Sequence, residues 1–233
     1  MNKAVILLSG GMDSTTCLAF AHANNYECYA LSFNYGQKHN AELIAASKIA
    51  KEFKIKKHEI INLDIGRLGG SALTDPHQKV PDYEDNNGIP ITYVPARNTI
   101  MLSIALGWAE ITGADSIFVG VSAVDYSWYP DCRPEYIDAF SKLANLATKK
   151  AIEGQKITIE TPLIALSKAE TIKLGVSLNV NYAQTVSCYK ATATGLACGI
   201  CASCHLRKKG FADAAINDQT RYIAQRSPHF LLT

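Results

Sequence analysis

Apolar residues along this chain recur in two alternating rhythms. Short β-branched or aromatic runs at Ala4–Leu8, Cys28–Phe33, Glu59–Leu63 and Ser116–Val121 read as strands, and amphipathic stretches of helical period separate them. Strand–helix alternation of this kind predicts an α/β fold with a doubly wound, mostly parallel sheet and right-handed crossovers. In one helical stretch Ile100, Met101, Ile104, Ala105 and Trp108 share a face that is expected to pack on the sheet. Farther on, Ser167-Lys168-Ala169-Glu170 has the form of a capping box that opens a short helix ending near Gly175.

Two regions break the alternation. Residues 66–95 are rich in proline and glycine and carry the polar run from Asp82 to Asn87, which predicts a long loop that acts as a flexible lid or faces a partner. The tail beyond residue 180 holds a cluster of cysteines. The 233 residues suffice for one well-buried core with an appendage. The expected organisation is an α/β domain over 1–180 and a metal-binding, helical region over 181–233 packed on the same core.

The first strand runs directly into Ser9-Gly10-Gly11 and then into a helix-compatible stretch, Ser14 to Ala23. That order aims a helix N-terminus and several free backbone N–H groups at one point, which is an anion site. Adjacent glycines let a phosphate approach the backbone closely, and the Ser9 and Ser14 hydroxyls add donors. A plain strand-to-helix turn with a capping serine would use the same residues. No Lys-Ser/Thr follows the glycines, so this is not the loop that grips β and γ phosphates through a lysine. The whole string Ser9-Gly10-Gly11-Met12-Asp13-Ser14 resembles the pyrophosphate loop of the ATP pyrophosphatase superfamily, whose fold is Rossmann-like. The resemblance implies cleavage of ATP between its α and β phosphates. It implies nucleotide binding by Leu8, Ser9, Gly10, Gly11, Met12, Asp13, Ser14 and Thr15, with Asp13 placing Mg²⁺ or the pyrophosphate.

Of the seven cysteines, Cys188, Cys198, Cys201 and Cys204 form C-x9-C-x2-C-x2-C. Four thiolates at that density suit a closed tetrahedral Zn²⁺ site, which leaves no open position for water and is therefore structural. An iron–sulfur cluster accepts the same four ligands, and spacing alone does not separate the two. Cys17 and Cys28 are expected in the core, and Cys132 lacks an obvious base partner that would make it a nucleophile.

After the strand at Ser116–Val121 comes Asp125-Tyr126-Ser127-Trp128-Tyr129-Pro130-Asp131-Cys132-Arg133-Pro134. Ligands in open α/β sheets bind beyond the carboxyl ends of strands, where this segment belongs. The segment resembles the signature of the 7-cyano-7-deazaguanine synthase family of queuosine precursor synthesis. Asn34–His39, Val94–Asn98, the stretch from Pro162 to Gly175 and Ser187-Cys188-Tyr189 resemble that family as well, so the likeness runs from Ser9 to Phe211. Trp128 departs from it, standing where glycine or another small residue is expected.

The family's chemistry, as the resemblance implies it, joins 7-carboxy-7-deazaguanine and ammonia with consumption of ATP, through adenylated carboxylate and amide intermediates. Asp125 and Asp131 are then candidates for the N–H-rich edge of the base, and Tyr126 or Trp128 for stacking. Arg133, Arg97, Lys38 and Lys168 are the cations available to the carboxylate and the α-phosphate, with Asp13, Lys38, Arg97 and Lys168 the candidate catalytic set. No general base is assignable. The resemblance also suggests a homodimer.

A formal net charge of +2 gives no support for nucleic-acid or membrane partners. An N-terminus that enters a strand-length apolar run at once predicts a cytoplasmic location. A thiolating or amidating relative with the same phosphate loop stays open, as does, more remotely, a nucleic-acid module built on the cysteine cluster and Arg207-Lys208-Lys209.

Overall fold

A computed structural model describes residues 1–85, 88–124 and 129–224. Its centre is the strand β1 (Lys3–Leu7), in which Ala4, Val5 and Ile6 are fully buried. A strand buried on both faces can be apolar throughout, and successive side chains then serve opposite cores. Val5 joins one core cluster, while Ala4, Ile6 and Leu8 join another.

β1 is followed by α1 (Met12–Ala23), β2 (Glu27–Asn34), α2 (Ala41–Glu52) and β3 (Lys57–Asn62), then by α3 (Arg97–Thr112) and β4 (Ser116–Phe118). The order continues with α4 (Pro134–Ala147), α5 (Lys149–Ile152), β5 (Thr158–Glu160), α6 (Lys168–Ser177) and α7 (Ala202–Ala214). The five strands are all parallel in the order β3-β2-β1-β4-β5, with Leu7 level with Leu31 and Ile6 with Phe118. The chain winds outward from β1 to β3 and then resumes on β1's other side at β4. The crevice between β1 and β4 is therefore the topological switch point, where such sheets bind ligands.

The sheet is the one expected from the apolar rhythm, with two differences. β5 was not anticipated: its three residues lie at an edge, partly exposed, with no apolar run to announce them. The buried face of α3 is also turned from the one expected. Leu102, Ala105, Leu106 and Ala109 are buried, whereas Met101, Ile104 and Trp108 pack only partly against the core. Apolar residues nearly encircle this helix, so several i, i+3, i+4 sets satisfy the same period. Trp108 is used at the flank, edge-on to Tyr29 with ring centroids 5.8 Å apart.

α6 opens with the capping box read from the sequence: Glu170 N–H donates to Ser167 Oγ at 3.2 Å, and Ser167 N–H donates to the Glu170 carboxylate at 2.8 Å. This fixes Lys168 as the helix's first residue. α6 packs on α1 and α7 through Met12, Ala19, Ile172, Phe211 and Ala214. A Cβ on Gly175 would lie 1.9 Å from the Tyr182 hydroxyl, so the helix approaches that ring only as glycine.

Much of the 66–95 excursion is anchored. Ser71, Ala72, Leu73, Thr74, Val80, Thr92 and Val94 are buried. Ala72 N–H donates to Ile91 O at 2.8 Å, and Tyr83 N–H to Ile200 O at 2.8 Å. Tyr83 stacks on His205 at 3.7 Å, and Lys190 pairs with Asp82. The segment is a strap between the sheet and the cysteine-rich tail.

Two glycines give opposite expectations. Gly107, exposed in the middle of α3 with nothing within 4 Å of an added Cβ, should stabilise by about 0.5–1 kcal/mol when replaced by alanine, through helix propensity. Gly175→Ala should destabilise by about 1–3 kcal/mol through overpacking on Tyr182. Urea unfolding of the two variants against the parent chain checks both signs.

Candidate active site

The Ser9–Ser14 loop takes its shape from three side-chain hydroxyls and two glycines. Ser9 Oγ lies 3.0 Å from Ser14 Oγ, and Gly11 N–H donates to Ser9 Oγ at 3.3 Å. Thr15 Oγ1 donates to Gly11 O at 2.8 Å. Gly10 has φ +86°, and a Cβ there would meet Glu42 O at 2.2 Å, so the loop lies directly on the first turn of α2. Gly120, just beyond β4, is also tight, with Asp13 C and Ser14 N each 3.0 Å from its ideal Cβ.

The loop is also braced from the far end of the chain. Val186 N–H donates to Gly10 O at 2.9 Å, and Met12 N–H donates to Ser187 Oγ at 3.1 Å. Ser14 N–H would meet Gly10 O in a continued helix, but that carbonyl faces Val186. The first-turn N–H groups of Asp13 and Ser14 are thus left without a helical acceptor, as at an anion site.

Lys168 Nζ contacts both oxygens of Asp13, at 3.0 and 2.9 Å. Asp13 suits the positive end of α1, but a lysine at the first residue of α6 opposes that helix's dipole. Local helix energetics do not explain Lys168 there; its reach into the loop does. A Cβ on Gly210 of α7 would lie 2.5 Å from Lys168 Cγ, so this glycine makes room for the lysine stem.

A cavity of about 290 Å³ opens here, toward the small end of ligand-site sizes. Leu8, Ser9, Gly11, Met12, Asp13 and Ser14 line it, together with Lys38, Arg97 and Lys168. The structure thus brings the phosphate loop and the four candidate catalytic residues to one place. Arg97 donates to the Tyr35 hydroxyl at 3.2 Å and lies 5.6 Å above that ring. Although burial opposes its charge, the Tyr35, Tyr129 and Tyr189 phenols around it hold it as a cation. Exposed Lys38 donates to Gln78 O of the strap.

The residues expected to hold the base fare differently. Asp125, Tyr126 and Trp128 lie outside the described residues. Asp131 is 5% exposed and accepts from Asn98 N–H at 3.0 Å, while its backbone carbonyl accepts from Asn98 Nδ2 at 3.0 Å. Its carboxylate caps α3 rather than lining the cavity, and burial raises its pKa against the opposing Asn98 N–H and Arg97. Exposed Arg133 donates Nε–H to Pro130 O at 3.2 Å and does not line the cavity either. Cys132 does line it, but burial and Asp131 push its thiol up to about 12, so it stays protonated.

Sequence reasoning missed Glu42, Tyr35, Ser187 and Ser203 as cavity-lining residues. Tyr35 and Ser187 carried readable signals, since each lies in a segment that resembles the family, Asn34–His39 and Ser187–Tyr189. Glu42 sits in an ordinary amphipathic helix and carried none.

The four clustered sulfurs lie within 4.8 Å of one another, with Cys198–Cys204 at 3.9 Å and Cys188–Cys201 at 4.0 Å. Ligands about 2.3 Å from a tetrahedral Zn²⁺ sit about 3.8 Å apart, so the cluster is close to the size that ion requires. Backbone N–H groups of Lys190 and Cys198 point at Cys188 Sγ, at 3.3 and 3.2 Å, as a thiolate requires. His205 stacks on Tyr83 and is not part of the cluster. Of the basic run beside it, Arg207 is 3% exposed and bonds to Thr185, Tyr182 O and Asp218, so it offers no surface charge.

Residues 3–215 match the family described as queuosine biosynthesis protein QueC. This chain belongs to the QueC family. A 7-cyano-7-deazaguanine synthase from Coxiella burnetii is 68% identical over 225 residues, covering 97% of this chain and all of that one. Proteins of the same name from Legionella pneumophila and Dechloromonas aromatica are 59% and 58% identical, over 95% and 96% of this chain and 97% and 100% of theirs. The resemblance read from the sequence therefore holds along nearly the whole QueC chain. Among the described residues, no helix is long and apolar enough to cross a membrane.

The cluster predicts about one zinc ion per chain by elemental analysis, falling to near zero when Cys201 is replaced by serine. The unfolding midpoint should fall with it, since an ion present at 1,000 times its Kd contributes about 4 kcal/mol to the folded state.

Proposed function

We propose that this chain is an ATP-dependent ligase that converts 7-carboxy-7-deazaguanine and ammonia to 7-cyano-7-deazaguanine. The reading rests on one coincidence: the cavity beside the phosphate loop gathers Asp13, Lys38, Arg97 and Lys168 in a chain whose relatives carry that synthase's name. Hydroxide is a poor leaving group, so the carboxylate is first adenylated, with pyrophosphate released. Ammonia displaces AMP to give the amide. A second adenylation, on the amide oxygen, and loss of AMP give the nitrile.

In this scheme residues 8–15 cradle the phosphates with backbone N–H groups and the Ser9 and Ser14 hydroxyls. Lys168, turning from Asp13 toward the α-phosphate, and Arg97 stabilise the charge that develops there. Lys38, at the strap, meets the outer phosphates. Asp13 is the carboxylate that would hold Mg²⁺, which neutralises phosphate charge when it arrives with ATP. Asp125 and Tyr126 keep their proposed role at the base. Asp131 acts on the site through Asn98 and Arg97, which it positions at the start of α3, and Arg133 stays outside it. The zinc is structural, and the working protein is a cytoplasmic homodimer.

Incubating zinc-loaded protein with ATP, Mg²⁺, ammonium and the carboxylate should yield nitrile and AMP by mass spectrometry, only from the complete mixture. Lys168→Met should lower kcat/KM about 10²–10³-fold while zinc content is unchanged. Absence of AMP with this substrate, in a protein that still binds ATP, rejects the assigned substrate.

A further inference from the structure

The reaction just proposed needs a base, because ammonia at neutral pH is almost wholly ammonium and lacks the lone pair that attacks carbon. Only two carboxylates line the cavity among the described residues, those of Asp13 and Glu42. Asp13 is held on both oxygens by Lys168. Among the described residues the Glu42 carboxylate takes no hydrogen bond and no ion pair.

The start of α2 that carries it is fixed against the loop, because the Glu42 backbone carbonyl occupies the space a Gly10 side chain would fill. The acid therefore stands beside the phosphate loop. The titratable groups that share its cavity are Tyr35, Lys38 and His39, Arg97, Tyr129 and Cys132, Tyr189 and Arg207, and the Asp13–Lys168 pair.

Resting on the proposed ligase reading, we infer that Glu42 is the residue that receives ammonium and removes its proton for attack on the adenylated carboxyl carbon. One proton passes from ammonium to a Glu42 oxygen. The freed lone pair forms the C–N bond, the C–O bond to AMP breaks, and AMP leaves with that electron pair. The second surplus proton of the attacking nitrogen is released with AMP. Burial raises the Glu42 pKa to about 7, with Arg97 opposing the rise. A base in that range is about half ionised at neutral pH and still basic enough to take a proton.

The test compares Glu42→Gln with the parent chain, both zinc-loaded, using pyrophosphate exchange and two nucleophiles. Hydroxylamine is uncharged at neutral pH and needs no base to expose its lone pair. The variant should retain exchange and hydroxamate formation while losing about 10²–10⁴-fold in kcat/KM for ammonium. Loss of exchange or of carboxylate binding would give Glu42 a role in ATP or base recognition and overturn the inference, as would undiminished use of ammonium.

A second measurement covers a variant that fails to fold. In the parent chain, kcat/KM on total ammonium should rise with pH and level off above about 7, once Glu42 is ionised. A rise that continues without levelling means free ammonia is the substrate and rejects Glu42 as base. Absence of exchange in the parent chain with the deazapurine carboxylate removes the underlying ligase reading instead, and this role with it.

Discussion

Everything at the phosphate loop depends on two hydrogen bonds that join residues about 175 positions apart, from Val186 N–H to Gly10 O and from Met12 N–H to Ser187 Oγ. Each contributes only about 1 kcal/mol net, so their importance is directional. The first turns the Gly10 carbonyl away from the helix it would otherwise cap, and the second gives the Met12 N–H a partner in Ser187. What is left is a short arc of donors aimed at a single point. Ser187 is adjacent to Cys188, so the four-cysteine cluster acts as the buttress of that arc.

The same economy of position governs the charges. Lys168 opposes the dipole of its own helix and is held there by a capping box on one side and a missing side chain, at Gly210, on the other. Asp13 follows the helix dipole of α1. The pair couples two helix N-termini across the switch point of the sheet. A polyanion entering between them meets both termini and the lysine together.

The sheet, the phosphate loop, the capping box and the cysteine cluster were legible because each is written in contiguous residues: an apolar rhythm, a glycine pair, a box of four, a fixed spacing. Asp131 was legible as special but not in its placement, since an acid in a signature segment reads the same whether it faces a ligand or caps the next helix. The face of α3 was ambiguous because its apolar residues form more than one stripe. Glu42 could not be read at all. Its distinction comes from Gly10, thirty-two positions earlier, and from Arg97, fifty-five later, and such adjacency exists only in the folded chain.

The bracing of the loop by Val186 and Ser187 has a consequence for how the protein is made. Residues 9–14 leave the ribosome well before their partners, which are synthesised about 175 positions later. During most of translation the nascent chain can pair β1, β2 and β3 but cannot complete its phosphate cradle. The final shape of the loop is therefore a late property, acquired when the cysteine-rich tail docks.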